Sequence, residues 1–308
     1  TNEASVMNAI DPSVMADPVT GKWWMHYGSF FGGLYCVELD PETGLPAEEG
    51  DQGHLTARRA NYQKDNLEAP EIIYNPDLKQ YYLFVSYDPL MTTYNVRVGR
   101  SDKAEGPFVD FSGVELKDTT NNFPILTAPY RFHNHPGWAG TAHCSVFTSD
   151  EGQYFMAHQG RLSPHNQMMD LHLRQVFFTP DGWPVVSPER YTGSVSRKFS
   201  AEDMAGEWEV IRIQEPAYER RLQAGQILWG EGQLKEEEWN VSHLLSLEKN
   251  GHLGENKGNW EFLEAKQLLS LTLEGEIINN LIIFAGHDWE NEKETVLFTG
   301  LDSCGRSI

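Results

Sequence analysis

One pattern of strand openings recurs three times along this 308-residue chain and limits the folds open to it. Each copy has a polar leading residue, a short apolar strand, an acidic or Asn-containing turn, and an aromatic-rich strand. Asp11 leads Ser13-Val14-Met15 and then Trp23-Trp24-Met25. Glu68 leads Glu71-Ile72-Ile73-Tyr74 and Tyr81-Tyr82-Leu83, and His143 leads Ser145-Val146-Phe147 and Tyr154-Phe155-Met156. The steps from leading residue to second aromatic are 13, 14 and 12 residues. Leading residues lie 57 and 75 positions apart, somewhat more than the roughly 40 to 50 residues of a four-stranded propeller blade, and long loops account for the excess. In a propeller the first strand of each blade lines the central channel, so two carboxyls and an imidazole would meet there. Three blades do not close a ring that has roughly four to eight, so part of the ring is expected to lie outside this chain.

The remaining strand signals agree with an all-β reading. Tyr94–Val98 and Leu171–Phe178 are further short aromatic and β-branched runs, and Pro41–Gly44, Asp150–Gly152 and Pro180–Gly182 punctuate hairpins. After Arg190-Tyr191-Thr192 the texture turns charge-rich, with scattered tryptophans. The expected organisation is therefore partial propeller over residues 1–192 and a small β-barrel or sandwich over 193–308. Gly225–Trp229, Glu261–Leu263 and Thr295–Thr299 read as its strands, while Gln267–Leu273 fits strand or helix equally.

Charge narrows the partners. With 24 Lys and Arg against 45 Asp and Glu the net charge is −21, which repels phosphate backbones and anionic lipid, so neither nucleic acid nor membrane is an expected partner. Thirty-six aromatic residues suit a β-rich core or stacking platforms for flat ligands such as sugars. Cys36, Cys144 and Cys304 are an odd number without CxxC spacing and indicate neither a disulfide framework nor a zinc site. No apolar run approaches the roughly eighteen residues of a membrane helix.

Several runs, in order, resemble glycoside hydrolase family 43 arabinanases of the two-domain type, a five-bladed β-propeller followed by a small β-barrel domain. They are NAIDPSV (8–14), YGSFFGGLYCVELDPETGLP (27–46), EAPEIIYNP (68–76), YNVRVGRS (94–101), GTAHCSVF (140–147) and RQVFFTPDGWPVVSPERY (174–191), with a weaker echo in GHDWENEKETVLFTGL (286–301). The resemblance implies hydrolysis of α-1,5-linked L-arabinan or arabino-oligosaccharides by an inverting acid/base mechanism, in a secreted or periplasmic enzyme. It also implies roles: Glu68 as general acid, Asp11 as the carboxylate that tunes the acid's pKa, and His143 as a channel histidine that helps hold calcium through water. The general base has no counterpart here, since in the family it lies upstream of NAIDP. Asn8, Ser29, Phe30, Phe31, Tyr94, Trp138 and Arg161 are the substrate-binding candidates, the aromatics as subsite walls and Arg161 as a donor to a sugar hydroxyl.

Plainer readings stand beside these. His143 fits a structural core histidine, Phe30 and Phe31 fit packing between blades, and Arg161 fits a structural salt bridge. An arabinofuranosidase or β-xylosidase of the same fold, and a non-catalytic glycan-binding propeller, are the alternative functions. Departures from the family pattern fall at Phe31, where Trp is usual, at Cys144, where Asn is usual, and at His158-Gln159-Gly160. The opening at Thr1 leaves three expectations: an expressed piece, disordered leading residues, or cleavage of a precursor whose N-terminal fragment stays paired and carries the base. Cleavage would come from a separate protease or from attack of the Thr1 hydroxyl on the preceding carbonyl.

Overall fold

The computed structural model describes residues 7–59, 66–118, 121–214, 233–273 and 275–308. Thr1 and the expected strand Gly225–Trp229 lie outside them. The described chain is almost wholly β, as the strand signals require. A first antiparallel sheet is built in chain order from β1 (Ser13–Ala16), β2 (Trp23–Tyr27), β3 (Leu34–Leu39) and β4 (His54–Ala57), and a second from β5 (Leu67–Asn75), β6 (Gln80–Tyr87), β7 (Asn95–Ser101) and β8 (Ile125–Thr127). The third contains β9 (Tyr130–Arg131), β10 (Trp138–Ala139), β11 (Ser145–Thr148), β12 (Tyr154–Leu162), β13 (Asp170–Phe178) and β14 (Pro184–Val186). Each hairpin closes where the turn residues lie: Gly44, Gly152 and Gly182 donate back to Asp40, Ser149 and Thr179.

The middle sheet is buried on both faces, and the sequence of β6 shows how. Side chains alternate across a strand, so Tyr81, Leu83, Val85 and Tyr87 pack with Trp24, Leu34 and Cys36 of the first sheet. Tyr82 and Phe84 point the other way, into a core shared with Val146, Met156, Val176 and Trp183 of the third sheet. Each such side chain contributes about 1.5–3 kcal/mol on burial. β5 consequently packs between β1 and β11, which places three strand openings side by side.

The C-terminal portion is one seven-stranded antiparallel sheet of β15 (Gly206–Val210), β17 (His243–Leu247), β18 (His252–Leu253), β19 (Gly258–Leu263), β20 (Leu268–Leu273), β21 (Glu276–Asp288) and β22 (Lys293–Thr299), around its own core of Leu245, Leu269, Leu281 and Phe298. The ambiguous segment is strand, β20. Segments beyond residue 192 also join the other sheets: β16 (Asn240–Val241) pairs in parallel with β9, and the Ser307 hydroxyl donates to the Ile125 carbonyl at 2.6 Å.

Three carboxylates, of Glu189, Asp288 and Glu290, have oxygens within 4.8 Å of one another where the two portions meet. Burial, with the Glu290 carboxylate beside it, pushes Glu189 up to about 9. At the far end of the scale, burial and the nearby Arg174 push His158 down to about 3. Its ring agrees with the neutral form, since Nε2 accepts from Arg174 Nε at 2.9 Å and Nδ1 bonds the Gln159 carbonyl at 2.7 Å. Both shifts make stability depend on pH. The folded chain keeps a proton on Glu189 that the unfolded chain releases above the ordinary glutamate value, so this contribution fades as pH rises towards 9. The unfolded chain takes a proton on His158 below about 6.5 that the fold refuses, so stability is also lost as pH falls from there towards 3. The midpoint of thermal unfolding, followed from pH 4 to 10, is expected to be highest between about pH 4.5 and 6.5, where the two contributions oppose each other, and to fall above that range, a fall that Glu189→Gln is expected to flatten.

Candidate functional site

Near the start of β1, β5 and β11, one strand in each of the first three sheets, stands a residue with left-handed backbone. The φ angles are 52° at Asp11, 52° at Ala69 and 53° at His143, a conformation costing L-residues about 1–2 kcal/mol. Three unlike residues sharing it define the register of the repeat. The sequence comparison put Glu68 in that register; the structure puts Ala69 there and Glu68 one residue earlier. A β-bulge is the cause, because Glu68 pairs with Ser86 and Glu71 with Phe84, so β5 takes three steps against two on β6. Bulges of this kind re-aim a side chain.

Glu68, so turned, is half-buried between two hydroxyls. Ser29 Oγ donates to Oε2 at 2.8 Å and Tyr94 OH donates to Oε1 at 2.6 Å. Ser29 arrives on the tight Gly28–Gly33 loop, which pairs with the start of β5: Ser29 bridges to Glu68, and Phe30 N–H donates to the Leu67 carbonyl at 2.8 Å. Gly28 is required there, since at φ 130° a Cβ would lie 2.6 Å from the Gly33 carbonyl. Burial lifts the Tyr94 phenol well above its usual range, and the charges of Glu68 and Asp11 add to the shift. A single hydroxyl therefore feels both carboxylates.

Asp11, Ala69 and His143 all line one cleft of about 550 Å³, together with Glu71, Gln159 and Asp170. The imidazole of His143 is exposed to it, and the residue's N–H donates to Ser86 Oγ at 2.9 Å. The core-histidine alternative is thereby set aside. Glu71 was not singled out in the sequence. Its Oε2 accepts from Ser13 Oγ at 2.8 Å, and its Oε1 accepts from Ser145 Oγ at 2.8 Å and Val146 N–H at 3.0 Å. The available signal was positional: Ser13, Glu71 and Ser145 each stand two residues after a left-handed opening.

The other candidates divide. Asn8 is half-buried and its carbonyl accepts from Ile10 N–H at 3.0 Å, shaping the approach to Asp11. Phe31 is exposed, with its ring 6.4 Å from that of Phe30. Phe30, Tyr94 and Trp138 are buried and offer no open face, which corrects the expectation that they form subsite walls. Tyr94 serves Glu68 instead. Trp138 is occupied by His172, perpendicular at 4.4 Å, and by the Arg190 guanidinium 5.1 Å over its ring. Arg161 is also buried: Nη1 donates to the carbonyls of Asn166 and Gln167 at 3.0 and 3.2 Å, and Nη2 to Gln159 Oε1 at 3.2 Å. It ties down a loop through carbonyl oxygens, a structural role made without a salt bridge among the described residues.

Ca²⁺ prefers six to eight oxygen ligands. Among the described residues no three acidic or histidine side chains converge at His143; the one such group is Glu189, Asp288 and Glu290, elsewhere. The side chains at the cleft do not by themselves form a coordination sphere.

Comparison with known proteins places these elements in context. Residues 2–184 match the pattern of glycosyl hydrolases family 43, and residues 188–308 match a C-terminal lipocalin-like domain. The chain is 27% identical over 323 residues to extracellular endo-alpha-(1->5)-L-arabinanase 2 of Bacillus subtilis, covering 98% of this chain and 64% of that protein. It is 30% identical over 324 residues to the extracellular endo-alpha-(1->5)-L-arabinanase of Thermotoga petrophila, covering 98% of this chain and 63% of that one. The chain thus spans less than two thirds of the length of either. A crystal structure of the Thermotoga petrophila endo-1,5-alpha-L-arabinanase superposes with a TM-score of 0.81 at 27% identity, over 99% of this chain and 68% of that one.

The Tyr94 hydroxyl donates to a carboxylate from a fully buried position, so Tyr94→Phe is expected to destabilise the protein by about 1–2 kcal/mol. Urea denaturation should show a lower midpoint with an unchanged slope.

Proposed function

The chain belongs to glycosyl hydrolase family 43, and from that premise we propose that it forms the acid-bearing part of an enzyme that hydrolyses α-1,5-linked L-arabinan with inversion. The supporting observation is the half-buried Glu68 carboxylate, fixed by Ser29 and Tyr94, with Asp11 in electrostatic range of the same phenol. Inverting glycosidases need a carboxylic acid that protonates the departing glycosidic oxygen and a carboxylate that activates water on the opposite face of the sugar. The two stand about 6.5–9.5 Å apart. In this reading Glu68 delivers the proton. The hydroxyls of Ser29 and Tyr94 hold its two oxygens, so the carboxyl keeps one orientation through the reaction. Asp11 is the companion carboxylate, lining the cleft with His143. In this reading the base is contributed by residues outside this chain, which spans less than two thirds of its relatives.

Calcium belongs to the same proposal. Water would supply its oxygens and His143 would act through one of those waters, with no step of the reaction routed through the ion. Localisation outside the cytoplasm is inferred from the relatives, both named extracellular. Among the described residues no helix is long and apolar enough to cross a membrane.

The decisive substitution is Glu68→Ala in the full-length protein. Hydrolysis of linear arabinan is expected to fall by about 10²–10⁴-fold while arabinan still binds; undiminished turnover would remove the acid assignment. Release of single sugars from short aryl glycosides without activity on linear arabinan would instead mark an arabinofuranosidase or β-xylosidase. For calcium, the expected result is a rise in Tm on adding the ion that His143→Ala abolishes.

A further inference from the structure

Two of the three sheets carry Ser at the position two residues past the left-handed opening, and the middle sheet alone carries Glu. A serine hydroxyl can donate one hydrogen bond, whereas a carboxylate offers two oxygens that accept independently. The middle sheet is also the one with a neighbour on each side. Glu71 uses that difference: Oε2 takes the Ser13 hydroxyl from the strand behind Asp11, and Oε1 takes the Ser145 hydroxyl and the Val146 N–H from the strand behind His143. Ser13 Oγ in turn accepts from Ile72 N–H at 3.2 Å, so the Asp11 strand is tied to β5 twice.

From this geometry we infer that Glu71 is a positioning residue, which fixes where Asp11 and His143 stand relative to Glu68. The inference rests on the reading of Glu68 as acid and Asp11 as its companion, and adds to it the part that sets their spacing. Glu68 and Glu71 flank the same bulge, three residues apart on one strand. A shift of the Ser13–Glu71 contact therefore moves Asp11 against Glu68 without disturbing the Ser29 and Tyr94 bonds that hold the acid. Substrate contacts elsewhere in the cleft stay in place, so the loss should fall on turnover.

The test measures kcat and KM on linear arabinan for Glu71→Ala, Glu71→Gln and Ser13→Ala in the full-length protein, well below the Tm of every variant. Glu71→Ala is expected to lower kcat about tenfold to a hundredfold, the range for misplacing a reacting group by about 1 Å, with KM within about twofold. Glutamine keeps one accepting oxygen and turns a donor towards the other serine, so Glu71→Gln should recover most of the lost kcat. Ser13→Ala, which removes only the Asp11 arm, should reproduce part of the loss and decides the matter should Glu71→Ala fail to fold. Unchanged kcat in Ser13→Ala, or a loss carried by KM, overturns the inference. If Glu68→Ala abolishes hydrolysis in the same assay, the acid assignment survives that result. If hydrolysis persists in Glu68→Ala, the assignment itself is lost and the inference falls with it.

Discussion

Strand β6 has no solvent face, and the arrangement of the site follows from that. Its run of Tyr, Leu, Phe and Val sends alternate side chains into two different cores. Period-two alternation usually separates a wet face from a dry one; here both faces are dry and the alternation separates two neighbours. A sheet gripped on both sides cannot slip by one residue without exchanging the contents of both cores. The register of β5 against β6, and with it the bulge that turns Glu68, is held by this packing.

Onto that fixed frame the chain adds polar contacts that are few and specific. Glu68 receives one hydroxyl from the first sheet's loop and one from its own sheet, while Glu71 reaches to both neighbours. The two glutamates differ in what they join. Glu68 is held still by its surroundings, and Glu71 holds its surroundings still. Both depend on short side chains, Ser13, Ser29 and Ser145, which bring hydroxyls close to a carboxylate while permitting strand packing at the same point.

Much of this was legible in the sequence, and the failures have physical reasons. Strand positions were readable because turns and alternation are local properties, and Tyr154-Phe155-Met156 and Leu171–Phe178 fall within β12 and β13. The offset at Glu68 was not readable, because an inserted residue in a bulge leaves the polar, apolar and aromatic order unchanged. Exposure of the aromatics was equally hidden. In a chain whose strands are covered on both faces, Trp138 and Tyr94 look the same in sequence as a ring that lines a cleft. Arg161 was seen as functional or ion-paired, whereas its partners are backbone carbonyls, which no residue pattern announces. The parallel pairing of β16 with β9 rests on two residues more than a hundred positions from their partners, too short and too distant to leave a signal.

That pairing has a consequence of its own. β9 shows its outer row of amide and carbonyl groups to Asn240–Val241, and Asn240 adds a side-chain bond to the Pro129 carbonyl at 2.7 Å. Severing the polypeptide near residue 192 would strip away that cover and leave an unsatisfied sheet edge, an invitation to stick to another copy. The C-terminal portion thus closes an edge of the third sheet through β16 as well as packing beside it.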